Sequence, residues 1–249
     1  MFNTNQSEPN AQDSAQSHTH SSTFLTDPMA RQNDSNDNDN IPENNLLPKC
    51  NTEYDSLQYW NKRYTEQESY DWFKGWSSMH EEICGLLPEK TNAIVNIGCG
   101  NSTLSSELYV LGYRNVINVD YSPVVIEAMA LRHAQQPESR WIVGDMFHLS
   151  DVIDMSSAHC CIDKGTLDAV LTVQHDPWDP PVELLQRIHS YMQQVCRILV
   201  PGGRFLHITF AQPHFRSRFI EIPGFKVNVH KLGATGGSFE YFCYEGLKI

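Results

Sequence analysis

The chain is short of basic residues: 18 Lys and Arg stand against 30 Asp and Glu in 249 residues, a formal net charge of −12 with a sequence pI near 5.3. A nucleic-acid backbone needs a basic footprint, so nucleic acid is excluded as the main partner. A basic protein partner fits better, although an acidic balance also serves plain solubility. Long apolar runs are missing as well. No stretch reaches the roughly 18 uninterrupted apolar residues of a membrane span. The N-terminus has neither the basic-then-apolar order of a secretory signal nor the arginines of a mitochondrial presequence. The seven cysteines are odd in number and scattered, with no Cys-x-x-Cys pair. Cys160 and Cys161 are adjacent, which suits neither an ordinary bridge nor a zinc knuckle. The expectation is reduced thiols, no metal, no membrane, and a cytosolic monomer with the nucleus as a second location.

Aliphatic residues are scarce at the start. Residues 1–48 are rich in Asn, Ser, Gln and Asp, most clearly in Arg31-Gln-Asn-Asp-Ser-Asn-Asp-Asn-Asp-Asn40. Such a segment cannot bury enough surface to offset chain entropy, so a disordered acidic tail is expected there, followed by one folded domain over 49–249. No internal repeat is visible.

From Tyr54 the composition changes. Asp55 to Tyr64 reads as a short helix and Ser77 to Leu87 as a second, ended by Pro88. Ala93-Ile-Val-Asn-Ile97 is a β-branched run closed by Gly98, hence a buried strand. Ser102 to Leu111 is helical and stopped by Gly112. Val116 to Val119 is the next strand. Pro123 opens a helix reaching about Ala134, at a position where its missing N–H costs little. Arg140 to Val143 and His159 to Ile162 are further strands. Val182 to Val200 repeats Leu185, Ile188, Met192, Val195 and Leu199 at helical spacing before Pro201-Gly202-Gly203. Arg204 to Phe210 is a fifth strand, and Phe225 to Val229 with Phe239 to Tyr244 close as a hairpin. Alternating strands and helices imply an α/β fold, a mostly parallel sheet with helices on both faces. The hairpin adds an antiparallel C-terminal edge strand.

In such a sheet ligands sit at the carboxyl ends of the strands, near the point where strand order reverses. Gly98 and Gly100 directly follow the first strand, where glycine lets backbone approach a ligand without a Cβ clash. Asp120 ends the second strand, 22 residues beyond Gly98, placed to accept from both ribose hydroxyls. Asp145 ends the third and can accept from an adenine amino group. Each feature alone is common; three strand ends in agreement describe a nucleoside crevice and point to S-adenosylmethionine (SAM). NAD is the nearest rival, but its fingerprint wants a third glycine where this chain has Thr103. Trp60, Tyr64, Trp72 and Trp76 crowd the segment before the first strand. Their faces can attract the SAM sulfonium or flank adenine, or they form an ordinary aromatic cover. Asp163 and Lys164 sit at the end of the fourth strand. Methyl transfer to an amine is an in-line displacement that needs a neutral, aimed amine. A carboxylate there can orient it and stabilise its developing charge, while Lys164 can meet the SAM carboxylate. A surface Asp–Lys pair is the plain alternative. His214, after the fifth strand, is either a proton acceptor or a packed or solvent-facing histidine.

Taken together, Tyr59-Trp-Asn-Lys-Arg-Tyr64, Tyr70-Asp-Trp-Phe73, Gly98-Cys-Gly-Asn-Ser102, Val119-Asp-Tyr-Ser122, Lys164-Gly-Thr-Leu-Asp-Ala169, Asp176-Pro-Trp178, Leu199-Val-Pro-Gly-Gly-Arg-Phe205 and Pro213-His-Phe-Arg216 resemble the eukaryotic elongation factor 1-alpha lysine methyltransferases, from about residue 54 onward. The resemblance implies a seven-stranded, Rossmann-like class I methyltransferase fold and methyl transfer from SAM to a lysine of elongation factor 1-alpha. It implies that Trp60, Tyr64, Trp72, Gly98, Gly100, Asp120, Tyr121, Asp145, Met146 and Lys164 hold SAM. It also implies that Asp163, Lys164, Gly165, Thr166, Leu167 and Asp168 form the segment required for activity. The family typically has Glu where this chain has Asp163. A methyltransferase for a small molecule or another protein, and a catalytically silent SAM-binding scaffold, are the alternatives.

Overall fold

The computed structural model describes residues 46–173, 176, 178–233 and 240–249. The expected tail lies outside the described residues except for its last three.

Seven strands form one sheet in the order β3-β2-β1-β4-β5-β7-β6: β1 Ile94–Ile97, β2 Val116–Asp120, β3 Arg140–Val143, β4 Ala158–Lys164, β5 Leu199–Thr209, β6 Phe225–Leu232 and β7 Tyr241–Lys248. The first five are mutually parallel. β7 runs antiparallel between β5 and the edge strand β6. Strand order reverses between β1 and β4, which fixes where a ligand crevice opens. Phe239, expected to start the last strand, lies outside the described residues.

The helices are α1 Leu57–Glu66, α2 His80–Ile83, α3 Leu104–Val110, α4 Pro123–Arg132, α5 Thr166–Val170, α6 Val182–Ile198 and α7 Pro213–Ile220. Every residue of β1 and β2 is buried, so both faces of the sheet centre are covered. On one face Val95, Ile97, Val119, Cys161 and Phe205 pack with Ile188, Met192 and Val195 of α6. Among the described residues no helix is long and apolar enough to cross a membrane.

Three expectations need correction. The helix read over Ser77 to Leu87 is a 3-10 turn at Trp76–Ser78, one α-turn at α2, and a second 3-10 turn at Cys84–Leu86. Met79 and Ile83 are drawn fully into the core, and Gly85 weakens propagation. Residues 199–203, read as the helix end and a stop, belong to β5. The fourth strand extends through Asp163 and Lys164, so these two alternate across the sheet and point to opposite faces.

Candidate active site

The first βα turn is locked by backbone geometry. Gly98 and Gly100 have φ of +60° and +50°. A Cβ on Gly98 would lie 2.0 Å from Thr166 Oγ1, so that position admits only glycine. Thr166 is the peg: its hydroxyl donates to the carbonyls of Ile97 at 2.9 Å and Gly98 at 3.3 Å. A Cβ on Gly100 would come within 3.0 Å of the Tyr64 hydroxyl, so Tyr64 is poised over the turn. Burial and the nearby Asp120 hold the Tyr64 phenol above its ordinary pKa.

Asp120, at the end of β2, is buried. Its Oδ2 accepts from Gly100 N–H at 3.0 Å and its Oδ1 from Ser122 N–H at 2.9 Å. Each oxygen keeps acceptor capacity for a further donor. Burial outweighs those two bonds and pushes the carboxyl up to about 6. Tyr121 follows, half-buried, with its phenol raised by burial and by Asp120. Asp145, exposed beyond β3, accepts from Phe147 N–H at 2.9 Å and caps the 3-10 turn Met146–Asp151. Met146 is buried beneath it.

A strap over 67–76 closes the crevice from the other side. Asp71 accepts from Ser102 Oγ at 2.5 Å, from Thr103 Oγ1 at 2.9 Å and from Lys164 Nζ at 3.1 Å. Thr103, standing where a dinucleotide fold wants glycine, is therefore a strap anchor. Burial works to raise the Asp71 carboxyl, but Lys164 and the two hydroxyls hold it below its usual value. Lys164 also donates to the Trp72 carbonyl at 3.0 Å. Desolvation lowers its pKa against the pull of Asp71. Two of its three N–H donors are thus engaged with these groups, and one remains for an incoming carboxylate.

The aromatic segment has its own cation. The Arg63 guanidinium lies 4.8 Å from the Trp72 ring, 4.9 Å from Tyr70 and 5.9 Å from Trp60. Trp60 is buried, stacked on Tyr64 at 5.5 Å and donating to the Tyr54 carbonyl at 2.7 Å. Trp60 and Trp72 therefore form the wall behind Tyr64, with the Arg63 guanidinium over their faces. Trp76 is buried beside His80. Sequence reasoning missed Arg63 and Asp71, although both sit inside the motifs Tyr59–Tyr64 and Tyr70–Phe73.

Most of the segment expected to do chemistry turns out to be framework. Asp163 is fully buried. It accepts from Thr166 N–H at 3.0 Å, Leu167 N–H at 3.1 Å and Tyr191 OH at 2.7 Å, with His207 Nδ1 at 3.2 Å. That carboxylate caps α5 and faces α6 and β5, so the expectation that it orients the amine is corrected. Leu167 is core. Asp168 accepts from Thr209 Oγ1 at 2.6 Å and Arg216 Nη2 at 2.5 Å, holding α7 against α5. Gly165, at φ +90°, keeps the Phe73 ring close above it. Within 163–168 Lys164 is the side chain bonded to the strap, and Gly165 lies beneath Phe73 and Trp72. His214 is exposed and stacked on Trp178. Tyr191 and His207 had no signal in the sequence, because each reads as an ordinary helix or strand residue.

The buried acceptor Asp120 and the Cβ-free turn fit a nucleoside cofactor, and with the 3-2-1-4-5-7-6 sheet they define a class I SAM-dependent methyltransferase. A methyltransferase domain family matches residues 88–223. The EEF1A lysine methyltransferase 4 of Mus musculus is 41% identical over 179 residues, covering 69% of this chain and 68% of that protein. The eEF1A lysine and N-terminal methyltransferase of Homo sapiens is 34% identical over 197 residues, 76% of this chain but 26% of that one. A TehB-like SAM-dependent methyltransferase from Corynebacterium glutamicum shares the fold at a TM-score of 0.51 and 18% identity, over 78% of this chain and 97% of its own. The chain belongs to the EEF1A lysine methyltransferase family, and its cofactor is SAM.

Proposed function

We propose that this chain transfers methyl groups from SAM to a lysine ε-amine of translation elongation factor 1-alpha, with the catalytic domain spanning 49–249. Kinship over about 70% of the chain supports this substrate, since relatives at 41% and 39% identity are named for it. SAM supplies an electrophilic methyl on a cationic sulfur. Asp120 accepts from the ribose hydroxyls, the Gly98–Gly100 backbone admits the amino-acid portion, and the spare N–H of Lys164 meets its carboxylate. Tyr121, Asp145 and Met146 take the base. The strap excludes water, which keeps the amine's approach in line with the methyl carbon. The observation that carries the reading is the buried Asp120 carboxylate, held by the glycine turn with acceptor capacity to spare.

A silent scaffold was motivated by Asp in place of the family Glu at 163. With that carboxylate enclosed and bonded to α5 and α6, the change shortens a framework contact and removes no group from the crevice. The reading further places the enzyme in the cytosol, with the nucleus as a second location, as a monomer; fractionation and sedimentation test both. The main experiment incubates the full chain with tritiated SAM and elongation factor 1-alpha, with Asp120→Ala as control. Label on a lysine of the factor, lost in the control, is expected. Intact SAM binding without label on the factor would overturn the substrate.

A further inference from the structure

Trp178 is 67% exposed, and among the described residues it is the only exposed aromatic side chain. An exposed indole offers a large contact surface, and tryptophan is enriched at the centres of interfaces. This one is held in place. Its main chain is pinned, with the backbone N–H donating to Asp176 Oδ1 at 2.9 Å and the carbonyl accepting from Arg218 Nη1 at 3.0 Å. The ring stacks on His214 at 5.7 Å with an interplanar angle of 21°, and Phe215 meets it edge-on at 5.0 Å. A side chain fixed this way loses little freedom on binding.

The position ties it to the reaction. α7 leaves the carboxyl end of β5, the end at which the crevice opens, and Arg216 clamps it to Asp168. His214 and Phe215 immediately precede Arg216 in α7, so the platform lies at the end of the sheet where the crevice opens. Its surroundings carry a net negative charge. Asp176 and Asp179 are both exposed and form no ion pair with any described residue, against the single guanidinium of Arg218, which is taken up by the Trp178 carbonyl. An indole face attracts cations and aliphatic lysine stems alike.

We propose that Trp178, backed by His214 and Phe215 and flanked by Asp176 and Asp179, is the docking platform for the basic segment carrying the acceptor lysine. The inference rests on the reading that the substrate is a lysine-bearing protein. It makes Trp178 a specificity residue for the protein substrate, outside the cofactor crevice.

The test is steady-state methylation of elongation factor 1-alpha by the full-length chain and by Trp178→Ala, with SAM affinity measured by calorimetry. The expected result is a KM for the factor raised about tenfold, as for loss of an interface anchor, with kcat within about twofold and SAM affinity unchanged. Trp178→Phe should recover most of the loss, and Asp179→Asn should raise KM and weaken its salt dependence. An unchanged KM in Trp178→Ala overturns the platform. A fall in kcat or SAM affinity at unchanged KM overturns it too, because that marks a structural role. If the wild-type chain labels no lysine on the factor, the functional reading fails first, and the platform falls with it.

Discussion

Replacing Asp163 by Asn separates a carboxylate that builds the site from one that works in it. Asn keeps the volume and one acceptor oxygen but turns the other into a donor, aimed at Leu167 N–H and Tyr191 OH. Hydrogen bonds to a charged group are worth roughly 1.5–3 kcal/mol each. Tyr191 OH can turn to accept from the new amide, but Leu167 N–H is left facing a donor and the charge behind the remaining bonds is gone, so the cost is about 3–5 kcal/mol, the range for breaking a buried charged network. In a folded domain of this size each kcal/mol lowers Tm by roughly 2–4 °C, so melting should drop by about 6–20 °C. Thermal unfolding followed by circular dichroism reads this directly. Single-turnover transfer, run well below both transitions, should keep a measurable rate. An Asn variant that melts within about 2 °C of wild type while transfer collapses would refute the reasoning. Asp163→Glu restores the family residue, yet it forces a methylene into a fully enclosed site at roughly 1–3 kcal/mol. It should therefore lower Tm and leave turnover no higher.

Asp120 gives two opposite pH dependences. Its folded carboxyl titrates at about 6, above the ordinary 3.8, so its share of stability is complete below the lower value and lost as pH rises through about 6. Cofactor binding needs the ionised form. SAM affinity should then weaken up to about tenfold per pH unit below 6, seen by calorimetry between pH 5 and 8; a flat profile would count against Asp120 as the ribose acceptor. Asp120→Asn removes the titrating charge but turns one acceptor into a donor facing Gly100 or Ser122 N–H, so its melting temperature should no longer fall as pH rises through about 6. Gly98→Ala places a Cβ on Thr166 Oγ1 at positive φ, and should abolish SAM binding by calorimetry while Thr166→Ala alone only weakens it. Asp71→Ala strands the Lys164 ammonium in a buried setting at about 3 kcal/mol or more. The double variant with Lys164→Met should recover part of that loss, and strict additivity of the two melting shifts would deny the pairing.

How much was legible follows the period of each signal. The parallel strands announced themselves as short β-branched runs ending at Gly98, Asp120 and Gly144, and the ligand end of the sheet followed from those punctuation residues. α6 was plain because seventeen residues sustain one apolar stripe. α5 was invisible: five residues of Thr-Leu-Asp-Ala-Val hold no period, and their helix exists because Asp163 caps it. The functional reading of Asp163 erred for the same reason. Sequence placed the carboxylate at a strand end, whereas strand alternation inside a longer β4 sent it beneath the sheet and Lys164 above. The clustering of Trp60, Tyr64 and Trp72 was readable, but which cation they would hold was not. Arg63 follows Trp60 by three residues on one helical face, a spacing equally consistent with solvent.

The strap and the aromatic wall have a consequence in time. Residues 54–82 come off the ribosome early, yet their partners come late. Asp71 waits for Lys164, Asp55 for Arg187, Phe73 for Phe210 and Tyr241, and Glu82 for Gly233. Contacts of such separation form after the loops between them have closed. The wall that seals the cofactor is therefore translated before the strands it seals against, and its set of anchors is complete only once they are made. A nascent chain halted after β4 would carry the glycine turn and Asp120 while the anchors for Phe73 at 210 and 241 were still unmade.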